Sequence, residues 1–238
     1  MAWGIKYQNL TRDRHDVLWT GNIQEEGFLT TIIYGFLYNW YAATDVREIA
    51  NIGWHVPTSA NYDTLIAYLG GLDIAGGKLK EIGLIYWETP NTGATNEVGF
   101  NGRGAGMRLE DGTFEGFKIV VAFRTTTIPV PGWDSSYQLL WNTAAVNSST
   151  SLFLMRGLSI RLIKDSTILT HGQTGTYIGN DGKAYRTICI GTQEWLADNL
   201  AETKYRNGDI IPEVTDNAAW AALTTGALCA YDNNWENV

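Results

Sequence analysis

The clearest pattern of apolar positions lies between residues 58 and 69. Its apolar side chains recur at spacings of three and four residues, and they are Tyr62, Leu65, Ile66 and Leu69. This spacing places them on one face of a helix. Thr58 or Ser59 can cap the first turn after Pro57, and Gly70 can end the last one. The pattern predicts a helix over residues 58–69 whose apolar face packs on a core.

A second, shorter helical pattern spans residues 216–223. Thr215 or Asp216 can cap it, Trp220 and Leu223 fall on one face, and Gly226 follows it. The sequence therefore predicts one more helix near the end of the chain.

The remaining apolar positions form short runs of the kind that favours strands. Residues 91–116 are rich in Gly and Asn, and Asp111-Gly112 is a hairpin signal. From residue 117 to 164, β-prone runs alternate with polar turns, which predicts an antiparallel sheet with strands at residues 118–123, 137–141, 152–155 and 158–163. A hairpin of residues 176–179 and 184–190 is predicted around Asn180-Asp181-Gly182. Two helices and many short antiparallel strands indicate an α+β fold.

Composition and charge narrow the possible partners. Hydrophobic residues make up 45% of the 238 residues and charged residues 18%, which is typical of a globular chain. The net charge of −8 argues against nucleic acid, which needs a clustered basic surface. There is no apolar run long enough to insert into a membrane, and charges interrupt the N-terminal residues where a signal peptide needs its apolar core. We therefore expect synthesis in a reducing cytoplasm, which favours free thiols at Cys189 and Cys229 over a single bridge between them.

Residues 1–33 differ from the rest of the chain. Charged residues are interleaved there with short β-prone runs, at residues 16–23 and 28–33. These runs are too short to bury a core alone, so we predict a separate attachment and oligomerisation segment. The alternative is that they are further strands of the main domain.

Several sequence words resemble the Fibrobacter-type major paralogous domain. They are residues 34–41 (YGFLYNWY), 53–57 (GWHVP), 76–81 (GGKLKE), 91–97 (NTGATNE), 157–162 (GLSIRL), 190–195 (IGTQEW) and 216–220 (DNAAW). That family is similar in fold to C-type lectins and to formylglycine-generating enzymes. The resemblance therefore implies a C-type-lectin-like α+β domain over residues 34–238.

The order of these words departs from the family. There, the strand of residues 190–195 and the helix at residues 216–220 precede the first word, whereas here they come last. The resemblance implies a circularly permuted domain with a body (residues 34–164), a linker (165–175) and a permuted strand and helix (176–238). Its new chain ends, Val238 and Tyr34, should then lie close together. Cys229 stands where the family often has Cys, but its usual partner just before GWHVP is replaced by Asn51-Ile52, and Leu162 stands where the terminal strand often has Cys. The resemblance therefore does not extend to the common family disulfide.

The lectin-like domain and its terminal GLSIRLI strand are also similar to the receptor-binding variable proteins of phage diversity-generating retroelements. Such proteins display variable side chains just upstream of that strand, at the place that residues 117–156 occupy. The resemblance implies a ligand-binding face made of Ile119, Phe123, Arg124, Trp133, Asp134, Ser136, Tyr137, Trp141, Phe153, Met155 and Arg156. Exposed aromatic side chains there would supply binding area at low entropic cost.

The sequence gives little support for other chemistry. The His residues are isolated, so no metal site and no cofactor are expected. Loop oxygens of Asn91, Asn96, Glu97 and Asn101 could bind calcium, but bracing of the loop by Asn side chains is the preferred interpretation. A formylglycine-generating-type oxidase would need a reactive cysteine pair, which Cys189 and Cys229 match poorly. A purely structural virion protein is the third alternative.

We therefore expect a non-enzymatic phage tail protein that binds a glycan or protein on the bacterial surface. Its other partners would be phage tail proteins, and its location the virion. A homo-oligomer, most simply a trimer, would raise avidity without new contacts.

Overall fold

A computed structural model describes residues 32–151 and 153–238 of the chain. Within these residues the fold is rich in β-structure, with a few short helices, which confirms the predicted α+β class. The strands form a two-stranded sheet and two five-stranded sheets. The proposed segment of residues 1–33 lies almost entirely outside the described residues.

The helices are α1 (Trp40–Ala43), α2 (Ser59–Tyr68), α3 (Leu72–Leu79) and α4 (Asn217–Ala221). The predicted helix over residues 58–69 is confirmed as α2. Thr58 caps it in a capping box, because its Oγ1 accepts from the Asn61 N–H and the Asn61 Oδ1 accepts from the Thr58 N–H at 2.8 Å. The predicted helix at residues 216–223 is confirmed in shorter form as α4, with Asp216 as its cap.

Helix α3 was not predicted, because it contains Gly76 and Gly77. Glycine weakens a helix interior, so the local pattern does not favour one. Tertiary contacts explain the glycines. A Cβ on Gly76 would lie 2.3 Å from the carbonyl oxygen of Ala145, and one on Gly77 would lie 2.2 Å from that of Gly93. Close approach of two loops therefore selects glycine in this helix.

The larger part of the predicted antiparallel sheet is present as one five-stranded sheet. Its strands, in spatial order, are β4 (Phe114–Phe117), β3 (Ala105–Arg108), β5 (Val120–Arg124), β6 (Asp134–Leu140) and β7 (Val146–Ser151). All neighbours are antiparallel except β3 and β5, which are parallel. The Asp111-Gly112 hairpin is confirmed between β3 and β4. The strand predicted at residues 152–155 is wrong, because residues 153–155 lie outside any strand. The strand in this region is the polar β7, which ends at Ser151.

The second five-stranded sheet contains the late hairpin. Its strands, in spatial order, are β2 (Trp54–His55), β8 (Ile163–Lys164), β11 (Gln193–Leu196), β10 (Ala184–Ile190) and β9 (Thr174–Ile178). The hairpin around Asn180-Asp181-Gly182 is confirmed as β9 and β10. The predicted strand at residues 158–163 is reduced to isolated bridges followed by β8.

The smallest sheet brings the two ends of the described chain together. Strand β1 (Leu37–Tyr38) pairs antiparallel with β12 (Leu228–Cys229), which is followed by two 3-10 turns, Tyr231–Asn233 and Trp235–Asn237. The Tyr34 N–H donates to the Asn237 carbonyl at 3.0 Å. The expected closeness of Val238 and Tyr34 is therefore present.

Buried Lys and Arg side chains hold the long loops against the core by hydrogen bonds to backbone carbonyls. The Lys80 ammonium donates to the carbonyls of Thr92, Leu140 and Thr143 at 2.8–2.9 Å. Arg108 and Arg161 are also fully buried, and most of their hydrogen bonds go to backbone carbonyls. Each cation thus satisfies carbonyl groups that irregular chain leaves without a partner.

The loop of residues 91–101 is held by its own asparagine side chains. Asn91 donates to the carbonyls of Glu81 and Gly83, and the Asn96 and Asn101 side chains bond to each other at 2.7 Å. Glu97 pairs with Lys78 at 2.9 Å. The preferred bracing role of these asparagines is confirmed.

Cys189 and Cys229 are both buried free thiols, as expected. Among the described residues, no helix is long and apolar enough to span a bilayer.

Candidate ligand-binding surface

The connection between β5 and β6 ends in a tight turn. The Trp133 N–H donates to the Val130 carbonyl at 2.9 Å, and Gly132 between them has a φ of 84°. Pro131 comes before this glycine, and Pro followed by a left-handed Gly is the signature of a type II turn. The proline ring and the hydrogen bond together restrict the turn to one conformation.

This turn holds apolar side chains in solvent. Ile128 is 40% exposed and Val130 is 53% exposed, while Trp133 is half-buried at the base of the turn. Pro129 and Pro131 are exposed between them. An apolar group of this kind on a rigid turn is typical of a contact surface, because little conformational entropy is lost on binding.

A second segment, at residues 153–156, adds an aromatic and a charged group. Phe153 is 39% exposed, and Met155 and Arg156 are half-buried. The Arg156 guanidinium lies 5.1 Å from the centre of the Phe153 ring and donates to Glu110 Oε2 at 2.7 Å. The hydrogen bond from Arg156 lowers the pKa of Glu110, so the Glu110 carboxylate is charged at neutral pH.

The fully buried Arg124 joins the two segments from below. Its guanidinium pairs with the carboxylate of Asp134, next to Trp133, and its Nη2 donates to the Arg156 carbonyl at 2.5 Å. Burial lowers the pKa of Arg124, while the charge of Asp134 opposes that effect. We define the display surface as the solvent-facing residues of the two segments, namely Ile128, Val130, Trp133, Phe153, Met155 and Arg156.

Five of the residues predicted from the resemblance are buried instead. They are Phe123, Arg124, Asp134, Ser136 and Tyr137. The reason is that every residue of β5 and the first four residues of β6 are buried, so side chains on both faces of these strands do not reach solvent. Tyr137, for example, stacks on Tyr62 of α2 at 4.8 Å and donates to Asp63 at 2.6 Å. These side chains support the display surface and do not form part of it.

Two more predicted residues lie at the opposite end of the sheet. Ile119 precedes β5 and Trp141 follows β6, and the Trp141 N–H donates to the Ile119 carbonyl at 2.9 Å. With a rise of about 3.3 Å per residue along β6, Trp141 lies roughly 25 Å from Trp133. The structure therefore brings together Trp133, Phe153, Met155 and Arg156, and separates Ile119 and Trp141 from them.

Sequence reasoning missed Ile128 and Val130. The signal that could have found them is Pro131-Gly132, which marks a turn between two strands and so predicts exposure of the residues beside it.

A cleft of about 350 Å³ lies next to the display surface, with Thr126 in its wall. Its acidic side chains are paired, Asp45 with Arg47 and Glu48 with Arg206, and His55 Nδ1 lies 2.6 Å from Asp165 Oδ1. No cluster of three metal-binding side chains occurs in the part of the chain that the structure describes. The cleft is therefore lined by both apolar and polar residues, and its acidic side chains are paired.

Fold and surface together define a sheet-rich α+β domain that presents a rigid apolar surface. The chain matches the model of the Fibrobacter succinogenes major domain over residues 5–164 and belongs to that family. The match ends at the last residue of β8, before the β9–β10 hairpin. Neither the curated proteins nor the solved structures include a significant match.

Proposed function

We propose that the protein is a receptor-binding protein of a phage tail, which adsorbs to a glycan or protein of the bacterial surface through the display surface. The observation that carries the proposal is the rigid turn of residues 130–133, joined to residues 153–156 by the buried Arg124. The two segments are positioned before a ligand arrives.

Preorganisation of this kind matters for affinity. Association costs several kcal/mol in lost freedom, and ordering a loop on binding adds to that cost. Here the turn is fixed by Pro131 and its hydrogen bond. Trp133 and Phe153 belong to the residue types that most often dominate binding energy or contribute large aromatic contacts at interfaces.

We further propose that the scaffold is C-type-lectin-like, as in the variable proteins of diversity-generating retroelements, and that it is circularly permuted. Pairing of β1 with β12, and of β8 with β11, supports the permutation, because joining Val238 to Tyr34 and opening the linker of residues 165–175 would restore the family's order. A near-copy of the gene segment for residues 117–163 beside a reverse-transcriptase gene would support the retroelement reading. Its absence from the genome would count against it.

The proposed assembly is a homotrimer on the virion, attached to other tail proteins by residues 1–33. Multivalent attachment compensates for the modest affinity of one surface. Light scattering on the full chain tests it: a particle of about three chain masses is expected, and a stable monomer would contradict it.

The oxidase alternative finds less support in the chemistry of the two thiols. Reactive cysteines have a lowered pKa, whereas burial raises the pKa of Cys189 and raises that of Cys229 to about 12. Cys189 lies on β10 and Cys229 on β12, in different sheets. We therefore favour binding over catalysis.

The test compares adsorption of the purified full chain to host cells before and after substitution. Trp133→Ala should cost about 2 kcal/mol, a loss of affinity of about 30-fold, if Trp133 is a hot spot. Ile128→Asp should also weaken adsorption. Its matched control is Ile168→Asp, which makes the same change at a side chain that is 97% exposed in the linker.

The proposal predicts that Ile168→Asp adsorbs as the unchanged protein does. Equal adsorption of Trp133→Ala, Ile128→Asp and the unchanged protein would refute the display surface as the contact site.

A further inference from the structure

The five-stranded sheet that carries the display surface ends in strand β7. Strand β6 lies on one side of β7, and no described strand lies on the other. Helix α3 packs beside β7, and its Gly77 N–H donates to the carbonyl of Ala144, just before the strand, at 2.8 Å.

The register shows which backbone groups of β7 face outward. The Thr125 N–H donates to the Ser135 carbonyl, and the Trp141 N–H to the Ile119 carbonyl, so odd-numbered residues of β6 face β5. Even-numbered residues of β6 therefore face β7. Because Ser136 pairs with Ser149, the backbone groups of Ser148 face the other way.

Ser148 and Thr150 thus direct their N–H and C=O groups away from the sheet. Neither residue's backbone is bonded to any other described residue on that side. Both residues are exposed to solvent.

Edge strands are normally protected by charges, proline or a bulge. Strand β7 has the sequence VNSSTS, with no charge and no proline, and its pairing with β6 continues without a bulge from Val146 to Ser151. It also leads directly to Phe153 of the display surface. An edge that lacks protection beside a contact surface is suited to strand addition.

We infer that the ligand of the display surface is a protein, which adds an extended strand to β7 while its side chains contact the display surface. The inference rests on the proposed function and selects protein over glycan. Outward N–H and C=O groups recur every second residue, about 6.7 Å apart, and another polypeptide strand has the same repeat. A glycan offers no such regular alternation of donors and acceptors.

The experiment removes one outward backbone N–H of β7 in a first variant. A second variant, which changes only the side chain of the same residue, is the control. Ser148→Pro removes the outward N–H without removing a bond to β6, which an edge strand tolerates. Ser148→Ala keeps the N–H and loses only the hydroxyl. Adsorption of the full chain to host cells should fall about tenfold or more in Ser148→Pro and stay within about twofold in Ser148→Ala.

Thr150→Pro is the second variant, because its N–H has the same orientation, and it replaces Ser148→Pro if thermal unfolding shows that the latter does not fold. Host cells are also treated with protease or with periodate, which destroys glycans. Loss of adsorption after protease, and its retention after periodate, is the expected result.

The outcomes separate this inference from the proposed function. If the proline variants adsorb normally while Trp133→Ala does not, or if periodate alone abolishes adsorption, the strand-addition inference is overturned and the proposed function stands. If the proline variants instead change the oligomeric state in light scattering, β7 binds a second copy of the chain, which also overturns the inference. If the protein does not adsorb to host cells at all, the proposed function itself fails.

Discussion

Replacement of Lys80 by methionine tests how this loop-rich fold is held together. Lys80 follows α3 and is fully buried, with its ammonium 2.8–2.9 Å from three backbone carbonyls and 5.5 Å from the centre of the Trp87 ring. Burial lowers its pKa to about 8, which shows that the site is costly for a charge. The charge is tolerated because each ammonium proton has an acceptor.

Methionine keeps the apolar stem but removes every donor. Each of the three carbonyls left without a donor costs about 1–3 kcal/mol. Removal of the desolvated charge offsets part of that sum. We therefore expect Lys80→Met to lower the free energy of unfolding by about 3–5 kcal/mol. For a chain of this size the midpoint of thermal unfolding should fall by about 10 °C.

Lys78→Met is the matched control, since Lys78 lies two residues earlier and forms a partly exposed ion pair with Glu97. Such pairs contribute about 0–1 kcal/mol. Urea unfolding followed by tryptophan fluorescence measures both variants. A change of less than about 1 kcal/mol in Lys80→Met, or equal changes in the two variants, would refute the bracing role.

Three other predictions follow from the burial of single side chains. Tyr137→Ala should lower the free energy of unfolding by about 3–5 kcal/mol, because the ring is buried and stacked on Tyr62; a change below about 1 kcal/mol in urea unfolding would contradict its place in the core. Burial raises the pKa of Glu202 to about 7, so this residue contributes stability that is present below pH 4.5 and is lost as the pH rises through 7. Glu202→Gln should flatten that part of the stability curve, and an unchanged slope between pH 4.5 and 7 would contradict the raised pKa. Cys189 and Cys229 should react with a thiol reagent only after denaturation, and rapid labelling of the native protein would show that they are accessible.

Local signals were sufficient where the chain's own neighbours determine structure. Helix α2 was predictable because its cap, its apolar spacing and its terminal glycines agree. The hairpin of β9 and β10 was predictable from Asp181-Gly182. Helix α3 and strand β7 were not, because a Gly-Gly helix and a polar edge strand are stabilised by contacts with residues far away in the sequence.

The candidate site was predicted only in part, for a similar reason. The resemblance located the segment, but a single sequence does not show that β5 and the first half of β6 are buried on both faces. Phe123 and Tyr137 are consequently core residues that pack on Tyr62. The turn at Pro131-Gly132 carries a local signal, whereas the link from Arg124 to the Arg156 carbonyl depends on a contact 32 residues apart.

Two buried or backbone hydrogen bonds support the display surface, and they are relevant to its proposed role in adsorption. Arg124 reaches the second segment through the backbone carbonyl of Arg156, and the turn is closed by a backbone bond between Trp133 and Val130. Neither contact uses an exposed side chain. Replacement of an exposed side chain of the display surface should therefore change the chemistry of the surface and leave its shape intact. A binding protein that must meet a changing receptor needs this separation, because substitutions at exposed positions then affect recognition while the core determines stability. The support of the display surface therefore favours the proposed role in adsorption over a purely structural role in the particle.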